Sequence, residues 1–82
     1  MTLSNHERMS LVSEARSATD RGLVDMMTEQ SKKYSDLSKQ WNAAIHAGEY
    51  AAADAAQPGM DSASDRMEII AAEMRRRREG GA

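Results

Sequence analysis

The sequence predicts an all-α protein: a long amphipathic helix, a short Ala-rich helix and a C-terminal helix folding back, together a hairpin or small bundle completed by oligomerisation. Three observations carry that expectation. Leu23, Met27, Gln30, Tyr34, Leu37, Trp41 and Ala44 recur at alternating spacings of four and three, which holds them on one face of a helix, with Ile45 widening the stripe. The few Val and Ile never alternate with polar residues in a bounded run, so nothing signals a strand. Gly48 and the Pro58-Gly59 pair punctuate the chain at spacings that suit helix ends.

Taken in order, the first element starts at Ser4-Asn-His-Glu7, a capping box in which the Ser4 hydroxyl accepts from the Glu7 amide and the Glu7 carboxylate reaches back to the Ser4 amide. Its apolar stripe of Met9, Val12, Ala15 and Thr19, with Leu11 alongside, is thin, so this segment needs packing help. Around Ser17 to Gly22 the pattern loosens, because Ser, Thr and Asp prefer caps and Gly costs about 1 kcal/mol against Ala inside a helix. Val12, Ala15, Thr19, Leu23 and Met26 nevertheless keep a helical register, which favours a kinked continuous helix over a turn near Gly22. The main helix then ends at His46-Ala-Gly48, where glycine adopts a left-handed conformation without steric cost. Residues 49–57 form the short second helix, stopped by Pro58-Gly59, since proline lacks the backbone donor. Ser62-Ala-Ser-Asp65 caps a last helix whose stripe of Met60, Ala63, Met67, Ile70 and Met74 is largely methionine. The domain is expected to span residues 1–79, with 80–82 a disordered tail.

Eighty-two residues make one small domain, and chains of this size rarely draw more than about 3–5 kcal/mol from their own core. Ala inflates the 40% apolar content, so a second copy is expected to complete the core, a dimer being favoured. A formal net charge of −2 gives no long-range field towards nucleic acid or an anionic membrane. The absence of cysteine excludes disulfides, thiolate catalysis and Cys-containing zinc sites, and suits a cytoplasmic protein. No run approaches the ~18 apolar residues of a membrane span, and residues 1–9 have no apolar leader core, so a soluble, unprocessed chain is expected.

Residues 41–53, Trp-Asn-Ala-Ala-Ile-His-Ala-Gly-Glu-Tyr-Ala-Ala-Ala, resemble the helix–turn–helix corner of a tetratricopeptide-type repeat, in which an aromatic two residues after a glycine packs back on the first helix. No second copy follows at a 34-residue period, so a solenoid of stacked units is not implied. His46 has only Asn42 and Glu49 at helical neighbour spacing, too few ligands for a metal site. Acid–base catalysis has no support in pairs such as Asp61 and Asp65, which have no pocket to desolvate them. Neither a cofactor nor a metal is expected, and the chain is not read as an enzyme.

What remains is protein–protein interaction: a small regulator, adaptor or inhibitor that covers a partner's surface. Compact proteins of this kind are common on phages and mobile elements, an analogy of size alone. The core or oligomer contacts are expected at Leu23, Met27, Tyr34, Leu37, Trp41, Ile45 and Ile70, and the partner-binding surface at Leu11, Val24, Met26, Met67 and Met74. The second use of the chain is as a nucleic-acid accessory protein through Arg75, Arg76, Arg77 and Arg78. Four successive residues ring a helix at about 100° intervals, however, and better suit charge complementing the helix C-terminus.

Overall fold

The computed structural model describes residues 3–80 and contains three helices: α1 (Asn5–Ser17), α2 (Asp20–His46) and α3 (Tyr50–Gly80). Ser4 caps α1, its Oγ accepting from the Glu7 amide at 3.2 Å. The Glu7 carboxylate accepts a hydrogen bond from the Ser4 hydroxyl at 3.1 Å instead of reaching the Ser4 amide.

The chain breaks at Ala18 and Thr19, upstream of Gly22, and the continuous helix expected there is two helices. Both residues are extended, and Thr19 Oγ1 accepts from the Gly22 amide at 3.0 Å. A threonine cap satisfies an otherwise orphaned amide of the new helix, which decides the position of the break more strongly than the propensity cost of Gly22. At the other end of α2, Gly48 has φ +75°, its amide bonds to the Ile45 carbonyl at 3.1 Å, and Glu49 N bonds to Ala44 O at 2.8 Å. That pair of bonds is the Schellman closure expected from a glycine at this place.

Pro58 does not stop a helix. The short Ala-rich helix and the C-terminal helix are one, with Pro58 inside α3 and Ser62-Ala-Ser-Asp65 in mid-helix. A proline removes one backbone bond and crowds the preceding turn, but Ala53, Ala56 and Ala63 on either side are buried against α2. Gly59 supplies the closest approach, since a Cβ there would lie 2.7 Å from Leu37 Cδ1. Packing, not propensity, carries the helix through. Gly80 belongs to α3 instead of to a tail, while residues 81–82 lie outside the described residues.

Three close approaches fix how α2 and α3 align. Asp20 meets Arg77, Ser31 meets Met67 and Leu37 meets Gly59, so the helices are antiparallel and level positions have residue numbers adding to about 97. Helix α1 runs parallel to α3 along its C-terminal half only, from Asp65 near Leu3 and Arg8 to Arg77 near Ala15. The result is 50 × 23 × 17 Å, three helices thick at the proximal end and two at the distal end. The core sits where all three meet: Ala15, Leu23 and Ile70 are fully buried, with Ala18, Met26, Met27 and Met74 packed against them. Trp41, Leu37 and Ile45 are only half-buried, because α1 does not extend that far. Tyr50 is 65% exposed and does not fold back on α2, so the corner at Gly48 lacks the packing its resemblance to a tetratricopeptide-type repeat implies.

Candidate interaction surface

The two long sides of the hairpin differ in chemistry. On one side lies α1, held to α3 by charge at both ends. Asp65 Oδ2 accepts from Leu3 N and from Arg8 Nη2, each at 3.2 Å, and Glu7 lies 3.6 Å from Arg66. At the other end Arg77 spans the junction. Its Nη2 donates to the carbonyls of Ala15, Arg16 and Ala18 at 2.9, 3.2 and 2.6 Å, while Nη1 donates to Asp20 at 2.9 Å. The guanidinium thus closes the carbonyl end of α1, where the helix dipole favours a cation. Beneath it Glu73 is 6% exposed and accepts from Arg76 Nε at 3.0 and 3.1 Å and from Arg77 Nε at 3.3 Å. The hydrogen bond from Arg76 outweighs burial and holds the Glu73 carboxyl below the usual carboxylate range, with Arg77 adding to the effect. Distally the same side continues as a groove of about 560 Å³ bordered by Lys33, Asp36 and Arg66, again charged.

The opposite side carries no charge along most of its length. Met67 lies at least about 120° round α3 from Asp65, Ile69, Glu73 and Arg76, which border α1, and it meets Ser31 of α2 at 3.4 Å. Met60, Met67 and Met74, seven apart, form one ridge, with Ser64 and Ala71 beside it. On α2 the positions sharing the Ser31 face are Val24, Thr28, Ser35, Ser38 and Asn42, next to Met27, Tyr34, Trp41 and Ile45. In a chain whose residues are 29% charged, no Asp, Glu, Lys or Arg stands on this flank between Val24 and Ile45 or between Ala53 and Met74.

The expected site residues distribute unevenly over these surfaces. Val24 is 51% exposed and Met67 and Met74 are half-buried, all on the uncharged flank. Leu11, expected at the partner face, is buried under α1 instead, because the thin stripe of that helix turns its one leucine inward. Met26, also expected there, packs against the core. Among the expected core residues, Leu23 and Ile70 are fully buried, Met27, Leu37, Trp41 and Ile45 are half-buried, and Tyr34 is 38% exposed. The arginine run is not a basic tail: Arg77 turns inward and Arg76 folds onto Glu73, leaving Arg75 and Arg78 outermost. The serines and threonine of α2 are surface residues that a search for apolar stripes overlooks. Their signal is Val24, Thr28, Ser31, Ser35, Ser38 and Asn42 at spacings of three and four with no charge among them.

Among the described residues no three His, Asp or Glu side chains gather as metal ligands, and no helix is long and apolar enough to cross a membrane. No protein-family model, curated protein or solved structure matches the chain.

Proposed function

We propose that this chain is a small helical protein–protein interaction module, acting as a regulator, adaptor or inhibitor by covering a partner's surface, and that the uncharged flank is the surface it uses. The observation that carries this reading is the placement of the flank. It joins a half-buried Met and aromatic ridge to a row of small uncharged residues, on the side of the hairpin that α1 leaves open. Interface centres are depleted in charge and enriched in Met and aromatic residues. Methionine adapts to irregular partners, and small neutral side chains admit another helix closely without leaving a charge unpaired. A nucleic-acid role has less support, because two of the four arginines are committed within the fold and phosphate affinity grows with the number of cations supplied. Catalysis forms no part of the reading, since the one buried carboxylate among the described residues, Glu73, is held by two arginines.

The test compares affinity capture from the native host by the wild type and by Met67→Glu, with circular dichroism confirming that the variant stays helical. A protein bound by the wild type and lost by the helical variant is the expected result. If every captured protein binds both equally, the flank is not the working surface.

A further inference from the structure

The flank matches itself. Because level positions on α2 and α3 have numbers adding to about 97, Met60 stands at the height of residue 37, between Ser35 and Ser38. Met67 likewise stands at the height of residue 30, between Thr28 and Ser31, and Met74 at that of residue 23, beside Val24. Met60 and Met67 therefore each have small polar side chains at their own height on α2, and Met74 has the exposed apolar Val24. A two-fold rotation about an axis parallel to the helices lays α3 of one molecule over α2 of another at unchanged height, so Met60 and Met67 meet small side chains and Met74 makes an apolar contact with Val24.

The charged rows just outside the flank obey the same rule. On α2 they are Asp25, Lys32 and Lys39, and on α3 Arg75, Glu68 and Asp61, each row with a seven-residue step. Glu68 is level with residue 29, so after rotation it approaches Lys32, while Arg75, level with residue 22, approaches Asp25 and Arg21, which pair with each other at 3.5 Å. Glu68 and Lys32 have unlike signs at an offset of three residues, about 4.5 Å along the axis. Asp61, which accepts from Gln57 at 3.0 Å in its own helix, continues the row opposite Lys39. The other two-fold arrangement, with the axis across the helices at mid-flank, sets α2 on α2 and brings lysines to lysines and acids to acids. Like-charge rows count against it.

We propose that the occupant of the uncharged flank is a second copy of this chain, the two hairpins lying face to face and pointing the same way, with each α3 packed on the other copy's α2. This deepens the interaction-module reading and rests on it. The extent is adequate: a strip about 33 Å long and two helices, about 20 Å, wide covers about 650 Å² per copy, or about 1,300 Å² in all, within the range of specific interfaces. The arrangement puts Trp41, Tyr34 and Ile45, half-exposed in one chain, at the centre of a four-helix section.

The experiment is light scattering with size exclusion on the full chain, followed by dissociation constants from sedimentation for Lys32→Glu, Glu68→Lys and the double variant. Both positions are exposed, so the fold is not at stake. The wild type should have twice the 9.0 kDa chain mass at micromolar concentration. Each single variant should weaken the dimer several-fold, and the double variant should restore it to within about two-fold, in line with exchanged partners across an interface. A monomeric wild type overturns the proposal, and so does a dimer that the single variants leave unchanged or that the double variant fails to rescue. A monomer that still loses a host partner on Met67→Glu removes the second copy alone and leaves the interaction-module reading standing.

Discussion

Arg77 and Glu73 show how few residues carry the proximal architecture. A single guanidinium closes the carbonyl end of α1, pairs with the first acid of α2 and braces a buried carboxylate on α3, so three helices meet on one side chain. Nothing in the bare arginine run distinguishes Arg77 from its neighbours; only the position of Glu73, three residues before Arg76 and four before Arg77, marks two of the four as partners of an acid. The linkage sign follows from the depressed Glu73 pKa. A carboxyl whose folded pKa lies below its unfolded value contributes stability that is fully present above the unfolded pKa, about 4.3, and is lost as pH falls through the folded one. The melting temperature of the wild type should therefore exceed that of Glu73→Gln at neutral pH, with the gap closing as pH falls below about 4. A gap that stays constant across that range would mean that the Glu73 charge contributes nothing to the junction.

At the scale of elements, the sequence was most legible where one residue type has one conformational use. Gly48 closes α2 in the left-handed conformation, and Ser4 caps α1, both as the local chemistry demands. It was misleading at Pro58, where a local rule was overridden by burial of Ala53, Ala56 and Ala63 and by the fit of Gly59 against Leu37, none of which is visible in spacing alone. That override has a cost that can be measured. Proline in a helix interior is about 3 kcal/mol less favourable than alanine, so Pro58→Ala should stabilise the protein by about 1–3 kcal/mol. At roughly 4–8 °C per kcal/mol for a domain this small, thermal denaturation resolves the difference easily. No rise in melting temperature means that the helix is bent to fit Pro58 and that the bend is part of the packing.

At the scale of the molecule, the legible part was the helical class and the stripe on α2, while the depth of burial along that stripe was not. Leu23 is fully buried and Trp41 only half-buried although both lie on it, because α1 ends its coverage partway along the hairpin and no periodicity reports where a neighbouring helix stops. The stability of the chain should be correspondingly uneven. Around Leu23 and Ile70 three helices exclude water, whereas from about residue 35 to residue 60 the interior is a two-helix contact of alanines with half-buried Leu37, Trp41 and Ile45. Regions with few buried apolar contacts open locally at lower free energy. Amide hydrogen exchange should therefore be fastest in the distal half of α2 and the first turns of α3, and slowest beside Leu23 and Ile70. If a second copy covers the flank, the distal half gains two more helices, and mass action makes its protection depend on concentration. Exchange in residues 35–60 should slow as the protein is raised through the dimer's dissociation constant, with a smaller change at the proximal core. Distal amides that exchange equally slowly at every concentration would mean that the two-helix section is stable alone and has no need of a second copy to cover it.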